Sequence, residues 1–172
     1  MSASPRSMSK TEILTDNLKL LLQTTEQVLA SINAMSPADR AEVSPEWLAR
    51  MQASSSSDPW LHGFAVTHRE SGVIIGSCGF RAPPGPEAFV EIAYGIDPAY
   101  QGRGYATEAA RALVAFAFGS GRVSLVRAHT KPTESASTRV LTKCRFVRVG
   151  DVVDPEDGLV WRWELRPTNE EL

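Results

Sequence analysis

Apolar and polar positions change their spacing several times along the chain, and each change marks a predicted element. Residues 89–96 are rich in β-branched and aromatic side chains, which predicts a strand. Residues 107–118 are alanine-rich, good helix formers without proline or glycine, which predicts a helix. Elsewhere the pattern predicts strands at 12–22, 62–68, 73–80, 123–128, 146–152 and 160–165, and helices at 25–35 and 44–52.

The order of these elements predicts the fold class. Successive antiparallel strands with one βαβ crossover indicate an α/β (α+β) protein, with a single mixed, mostly antiparallel central sheet flanked by helices. The chain has 172 residues, which suits one domain with a sizeable core. We expect that domain at residues 11–167, between a flexible N-terminal tail at 1–10 and a C-terminal tail at 168–172.

A glycine-bearing turn lies between the predicted strand at 89–96 and the predicted helix at 107–118. Its residues are Gln101, Gly102, Arg103, Gly104, Tyr105 and Ala106. The glycines let the backbone turn tightly, and the free N–H groups and dipole of the first helical turn face an anion. The predicted ligand therefore carries a phosphate or pyrophosphate.

Two familiar phosphate-binding patterns do not fit this turn. A dinucleotide site needs glycine or alanine where Thr107 stands, and an acidic residue about 20 residues later, where residues 126–128 have none. A nucleoside-triphosphate loop needs a Gly-Lys-Ser/Thr sequence, and the turn contains no lysine. A different phosphate ligand on a similar turn stays open as an alternative.

The turn does match the pattern Gln/Arg-x-x-Gly-x-Gly/Ala, and here the chain resembles the GNAT superfamily of acetyl-coenzyme A-dependent N-acetyltransferases. Residues 91–95 and 105–109 are similar to the group that includes the ribosomal-protein N-terminal alanine acetyltransferases. Residues 137–146 resemble the family's fourth helix and following strand, with Ser137 and Arg139 among the matching positions. The resemblance implies a GNAT-like acyltransferase fold, with coenzyme A (CoA) between splayed central strands.

Three positions depart from the family pattern. The family asparagine falls at Glu134, or at Ser135 with a one-residue shift, which removes an expected contact to pantetheine or substrate. The glycine that ends the helix is replaced by Arg145, so we expect a less sharply turned helix end. Many members carry a tyrosine that protonates the departing thiolate, and the matching residue is Leu141, so that role is unfilled.

The resemblance also implies where acetyl-CoA would bind. The turn at 101–106 would hold the pyrophosphate, mainly through backbone N–H groups. The strand end near Ile96 would pair with the pantetheine, and an N–H there would polarise the thioester carbonyl. Ser137 is the further cofactor contact that the second motif implies. A β-bulge between Glu91 and Ile96, typical of the family, would splay the strands.

Glu91 is the candidate general base for the acceptor amine. By alternation it shares one strand face with Phe89, Ala93 and Gly95, whose small members leave room for substrate. A carboxylate there would take the amine proton directly or through water. The alternative is a structural carboxylate paired with a nearby arginine. Tyr94 is either a pocket residue or, on the simpler interpretation, a packed strand aromatic.

Charge is unevenly distributed, although the formal net charge is only −2. Residues 101–150 contain nine Lys and Arg against two acidic residues, a balance of +7 that leaves −9 for the rest. A basic half around a phosphate turn suits a polyanion such as CoA, while solvated helix faces are the simpler explanation. A sequence pI near 5.9 argues against a nucleic-acid partner.

The remaining residues argue against several classes of site. Cys78 and Cys144 give neither a disulfide framework nor metal-ligand spacing, and we predict no metal site. Cys144 could act as a nucleophile with His129, but a small buried hydrophobe is the simpler interpretation. No segment fits a signal peptide or a membrane span, so the predicted location is the cytoplasm, without a membrane partner.

These observations leave three functions open. The preferred one is an acetyl-CoA-dependent N-acetyltransferase that acts on a primary amine, either a protein N-terminus or a small molecule, as a monomer or homodimer. The second is a CoA-binding module that has lost efficient catalysis. The third is a protein that binds another phosphate ligand. Trp47, Trp60 and residues 83–86 would set acceptor specificity if they line the cleft.

Overall fold

A computed structural model describes residues 5–9, 11–155 and 157–168 of the chain. The strands are β1 (Ser7–Met8), β2 (Glu12–Leu14), β3 (Leu18–Leu22), β4 (Phe64–His68), β5 (Ile74–Phe80), β6 (Phe89–Ile96), β7 (Leu125–Thr130), β8 (Val147–Asp154) and β9 (Gly158–Leu165). The helices are α1 (Thr25–Asn33), α2 (Pro37–Ala41), α3 (Pro45–Ala53), α4 (Tyr105–Gly119) and α5 (Ala136–Lys143). None of the helices in these ranges is long and apolar enough to cross a membrane.

The described strands form one sheet in the order β1-β2-β3-β4-β5-β6-β7-β9-β8. Neighbouring strands are antiparallel except β6 and β7, which are parallel and joined through α4 as a βαβ crossover. On one face of the sheet α4 packs against β3, β5 and β6, and α5 packs against α4. The predicted mixed, mostly antiparallel sheet flanked by helices is therefore confirmed.

The main core lies between α4 and this face of the sheet. Small side chains on α4, such as Ala109 and Ala117, are fully buried and let the helix lie close to the strands. Larger side chains fill the remaining space, with Phe64 from β4 and Leu113 from α4 both fully buried. Burial of one such side chain contributes about 1.5–3 kcal/mol. The core thus fixes where α4 begins, next to the end of β6.

Strands β6 and β7 are paired over only part of their length. Residues 89–91 of β6 pair with 125–127 of β7, and beyond them β6 follows β5 while β7 follows β9. The register of β6 on β5 is constant from Ile92 to Ile96, so the expected β-bulge between Glu91 and Ile96 is wrong. The two strands separate because each continues along a different neighbour, and a gap opens between them.

The N-terminal part of the sheet differs from the predicted pattern. Residues 12–22 form the hairpin of β2 and β3 instead of one strand. Thr15, Asp16 and Asn17 make the turn, since short polar side chains bond to nearby backbone and favour turns over strands. The segment expected as a tail at 1–10 contains β1, which pairs with β2. Residues 1–4, 10 and 169–172 lie outside the described residues.

The C-terminus of α5 is sharply turned although its family glycine is missing. Arg145 adopts the left-handed conformation with φ 69°. The N–H of Phe146 donates to the Leu141 carbonyl (2.9 Å) and that of Arg145 donates to the Thr142 carbonyl (3.0 Å), which are the two bonds of a Schellman motif. Leu141 and Phe146 are both buried, and their packing holds the turn. The expectation of a less sharply turned helix end is therefore wrong.

Candidate active site

The turn before α4 presents free backbone donors. Gly102 and Gly104 have φ 78° and 85°, the left-handed region that glycine enters at little cost, and Gly104 caps the helix. No atom lies within 4 Å of a Cβ built on either glycine, so the space beside the backbone is open. The first backbone bond of the helix joins Glu108 N–H to the Gly104 carbonyl (3.0 Å). Within the described residues, the N–H groups of residues 102–107 therefore meet no acceptor and can bind an anion.

The side chains of this turn have structural contacts. Gln101 Nε2 donates to the Ile96 carbonyl oxygen (2.8 Å) and joins the turn to the end of β6. The Arg103 guanidinium lies over the Tyr100 ring, and the Tyr105 ring meets His68 edge-on. Ala106 packs against the core. Of the side chains predicted here, Arg103 presents a positive charge, and the other anion donors are backbone groups.

Glu108 adds a negative charge to the same first helical turn, where it would repel a phosphate. Its Oε2 accepts hydrogen bonds from Thr15 Oγ1 and from the Asn17 N–H, and its Oε1 accepts one from Asn17 Nδ2. The carboxylate is therefore satisfied by the β2–β3 turn, on the side of α4 that carries that hairpin. No local sequence pattern indicates this long-range link between α4 and the hairpin.

The gap between β6 and β7 exposes backbone groups of β6. Just after β6, the N–H of Asp97 donates to the carbonyl of Ile75 in β5 (2.7 Å). Because backbone groups alternate in direction along a strand, the odd-numbered residues of β6 also direct their N–H and C=O groups towards β5. Even-numbered residues point the other way, which places the N–H of Tyr94 and that of Ile96 in the gap. The Ile96 carbonyl on this side already accepts from Gln101. An extended ligand can bond to this edge like an added strand.

Helix α5 lies within reach of Tyr94, a residue of β6 at the gap. Ser135 caps the helix and forms a reciprocal capping box with Thr138, whose hydroxyl also donates to Glu134 (3.0 Å). The two positions that could replace the family asparagine are thus engaged in holding the helix N-terminus. Ser137 is exposed in the first turn, and its carbonyl accepts a hydrogen bond from the Tyr94 hydroxyl (3.3 Å).

The hydroxyl that this site offers near α5 belongs to Tyr94, because the family's tyrosine position is occupied by Leu141. Leu141 is fully buried in the core, so the family's tyrosine position serves packing. The Tyr94 ring is half-buried against the core, as the simpler interpretation predicted, and it also lines the cleft described below, as the pocket interpretation predicted. Its hydroxyl reaches Ser137. Burial raises the pKa of the Tyr94 phenol, with a further increase from Cys144 and a smaller decrease from the bond with Ser137. The phenol therefore stays protonated at neutral pH.

Glu91 lies where β6 and β7 separate, and its side chain is 18% exposed. Its Oε2 is 2.7 Å from Arg81 Nε and 3.1 Å from His129 Nδ1. Arg162 Nε donates to His129 Nε2 (3.0 Å), so a neutral His129 carries its proton on Nδ1, the atom that faces Glu91. The arginine contact that the structural alternative required is present. Oε1 makes no hydrogen bond to the described residues.

A cleft of about 950 Å³ lies beside Arg81, which contacts Glu91, whereas Glu91 itself is not among the residues that line the cleft. Its floor is the sheet face that carries Ser77, Gly79, Ala93 and Gly95, and Arg81 lies at its edge beside Glu91. The predicted small neighbours of Glu91 therefore do leave open space. The walls come from the α2–α3 region and from the β8–β9 hairpin.

The predicted specificity residues divide into those that line the cleft and those that do not. Trp47 lines it, and Trp47 Nε1 donates to the Leu61 carbonyl (2.7 Å), which fixes the ring. Trp60 is buried against Phe80 in the core, and the Pro-rich segment at 83–86 does not border the cleft. Sequence reasoning missed Arg81, because no local pattern marks a residue that a neighbouring strand brings into the site.

Cys144 is the buried hydrophobe that the simpler interpretation predicted. Its side chain is 7% exposed, and its Sγ faces the Thr107 carbonyl (3.7 Å). Burial raises the pKa of the Cys144 thiol to about 11, while Arg111 lowers it slightly. His129 is engaged with Glu91 and Arg162, so it does not activate this thiol. Among the described residues no cluster of His, Cys, Asp or Glu could hold a metal ion.

Known proteins share this sequence pattern and this fold. Residues 15–147 match the family model of the acetyltransferase (GNAT) domain. The uncharacterized N-acetyltransferase p20 of Bacillus licheniformis is 28% identical over 93 residues, which cover 54% of this chain and 52% of that protein. The uncharacterized N-acetyltransferase YjdG of Bacillus subtilis is 24% identical over 102 residues, 59% of this chain and 58% of that protein. The chain thus spans about half the length of the curated relatives it matches.

Solved structures agree in fold. The ribosomal-protein-S5-alanine acetyltransferase of Vibrio fischeri has a TM-score of 0.68 at 17% identity and covers 92% of this chain and 98% of its own. RimL, a ribosomal L7/L12 α-N-protein acetyltransferase in complex with coenzyme A, has a TM-score of 0.66 at 15% identity. The match covers 88% of this chain and 95% of the RimL chain. Because the family model matches most of the chain, this protein belongs to the GNAT acetyltransferase family.

Proposed function

We propose that this protein transfers the acetyl group of acetyl-CoA directly to a primary amine. The observation that carries the proposal is the combination of a free backbone cradle at residues 102–107 with a half-open strand edge on β6. The cradle suits a pyrophosphate, and the strand edge suits an extended amide-bearing arm. Acetyl-CoA carries both groups and, when bound, supplies an activated thioester.

The residues at the turn and along β6 present groups that suit this ligand. Gly102 and Gly104 leave open space beside the turn, and a Cβ at either position would enter it. The gap-facing N–H groups of Tyr94 and Ile96 suit an amide arm or a thioester carbonyl, where they would stabilise developing negative charge. Ser137 and Arg103 border the same region. The basic balance of residues 101–150 favours a polyanion.

Glu91 is the residue we assign to the acceptor side. Its carboxylate contacts Arg81, which lines the open cleft, and Arg81 and His129 both hold Oε2. That arrangement leaves Oε1 to take a proton from the amine, directly or through a water molecule. In this role Arg81 and His129 are positioning residues that fix the carboxylate.

Tyr94 is the group we assign to the departing thiolate. Its hydroxyl lies at the gap beside α5, where it can pass a proton to the thiolate and regain one from solvent. This assignment replaces the role left unfilled by Leu141. Transfer then needs a single ternary arrangement, with acetyl donor in the gap and amine in the cleft.

The acceptor is a primary amine, either a protein N-terminus or a small molecule. The open cleft admits both, and RimL, which shares the fold, is by its name an α-N-protein acetyltransferase of ribosomal L7/L12. Both cysteines are free and buried, which supports the proposed cytoplasmic location.

A CoA-binding module with little activity is the second candidate. Two observations favour it, namely the ion pair between Arg81 and Oε2 of Glu91 and the apolar Leu141 at the family's tyrosine position. Binding of acetyl-CoA with no turnover on any amine would support this candidate over the enzyme.

Calorimetric titration tests the proposal first, with acetyl-CoA, CoA, ATP and NAD as separate ligands. We expect acetyl-CoA and CoA to bind and the variant Gly104→Glu to lose that binding. Gly121→Glu is the matched control, because Gly121 also has a left-handed φ of 75° and open surroundings but lies beyond the other end of α4. Failure of the folded wild type to bind either CoA form would overturn the proposal. Turnover is then measured against peptides and small amines.

A further inference from the structure

Strand β8 is the last strand of the sheet, and its outer edge is open and apolar. Val147 is 64% exposed, Val149 is 51% exposed and Val153 is 75% exposed. Open strand edges carry unpaired N–H and C=O groups that template pairing with another chain, and natural proteins usually protect them. An eight-residue edge with three exposed valines is therefore a candidate interaction surface.

An irregularity within β8 decides which of its side chains share a face of the sheet. The register with β9 shifts between Arg148 and Gly150, so Val149 is an extra residue. Arg148 lies opposite Trp163 and Asp151 lies opposite Trp161. Because residues 161 and 163 of β9 share one face, Arg148 and Asp151 also share that face, three positions apart.

The other face of β8 carries a matching apolar pair. Val147 lies opposite Glu164 and Val152 lies opposite Val160, and residues 160 and 164 of β9 share a face. The edge therefore has an arginine and an aspartate on one face and two valines on the other. Along the strand, the midpoint between the two charged residues and the midpoint between the two valines both fall between Val149 and Gly150.

We propose that β8 pairs antiparallel with β8 of a second copy of this chain, about a two-fold axis that passes between Val149 and Gly150. Such an axis, perpendicular to the sheet, preserves the faces and makes the contact self-complementary. Arg148 of each copy then lies opposite Asp151 of the other, and Val147 lies opposite Val152. Opposite charges and apolar side chains are the pairs that stabilise neighbouring strands.

The bulge and the side-chain chemistry together favour this register over its neighbours. A shift of two residues would place Arg148 against Val153 and Asp154 against Val147, which pairs charges with apolar groups. A shift of one residue would place side chains of one copy opposite side chains that point to the other face of the sheet. The single extra residue in β8 matches the faces in the proposed register, and a one-residue shift removes that match. The Arg148 guanidinium lies 4.0 Å from the centre of the Trp161 ring, which keeps it on the face of Asp151.

A measurement of molecular mass in solution tests whether two copies of the chain pair through β8. Size-exclusion chromatography with light scattering should give the full-length protein twice its chain mass of 18.7 kDa. Arg148→Asp and Asp151→Arg each place like charges opposite each other twice, so each variant alone should elute as a monomer. An equimolar mixture of the two variants should recover a dimer, because one of each restores both opposite-charge pairs.

The control is Arg50→Asp, a charge reversal on the exposed end of α3, which should remain dimeric. Thermal unfolding of each variant checks its fold. A wild type that stays at 18.7 kDa when concentrated, single variants that remain dimers, or a mixture that stays monomeric would each overturn the proposal.

Hydrogen exchange on the wild type tests the same pairing without variants, so it remains decisive if a variant does not fold. Hydrogen exchange of the β8 amides should slow as protein concentration rises, because the outer edge of the strand becomes paired. Exchange at β8 that does not depend on concentration would overturn the proposal.

Discussion

The left-handed residue at the end of α5 predicts a stabilising substitution. Arg145 has φ 69°, a conformation that costs a side-chain-bearing residue about 1–2 kcal/mol, and its exposed side chain makes no hydrogen bond or ion pair within the described residues. Glycine removes that cost, although its greater freedom in the unfolded chain takes back about 0.4–1 kcal/mol. Arg145→Gly should therefore raise the free energy of unfolding by about 0.5–1 kcal/mol.

Thermal unfolding followed by circular dichroism measures this gain. For a chain of this length, 1 kcal/mol corresponds to about 2–4 °C, so we expect Tm to rise by about 1–4 °C. Lys143→Gly is the matched control, since Lys143 lies in the last helical turn with right-handed geometry, and there glycine should lower stability by about 0.5–1 kcal/mol. Equal losses in both variants would refute the reasoning, because they would show that the turn at Arg145 stores no backbone strain.

Three further substitutions test the site. Glu108→Gln should lower the free energy of unfolding in urea by about 1–2 kcal/mol, because the bonds from Thr15 and Asn17 lose a charged acceptor; an unchanged midpoint would contradict this. Glu91→Gln should lower kcat/KM by about 10²–10⁴-fold in a turnover assay while the exposed control Glu87→Gln does not, and full activity would exclude Glu91 as the base. Tyr94→Phe should lower kcat with unchanged calorimetric affinity for acetyl-CoA, and an unchanged kcat would remove Tyr94 as the proton donor.

Local patterns predicted the parts of the site that depend on local chemistry. The β-branched and aromatic residues at 89–96 predicted β6 with its observed bounds, and the helix formers at 107–118 predicted α4 to within two residues at either end. The glycine pair between them fixed the turn, because only positive φ angles fit that geometry. These elements need no information from distant residues.

Contacts between distant segments were not predictable in the same way. Arg81 and His129 reach Glu91 only through the register of β5 and β7 on β6, and no spacing in the sequence encodes that register. The turn at residues 15–17 was missed because apolar residues on both sides of it suggested one continuous strand. At Arg145, the packing of Leu141 and Phe146 outweighs the intrinsic preference of the backbone, which a propensity argument cannot weigh.

The partial pairing of β6 and β7 has a consequence for how a bound ligand would be seen at single-amide resolution. In the free protein the N–H groups of Tyr94 and Ile96 face the gap and should exchange with solvent quickly, while those of Ala93 and Gly95 are held by β5. A ligand arm that adds itself to this edge would protect Tyr94 and Ile96 and leave Ala93 and Gly95 unchanged. Slower exchange at every second amide of β6 would then indicate that the ligand is bound, and the unchanged amides of Ala93 and Gly95 would serve as the internal reference.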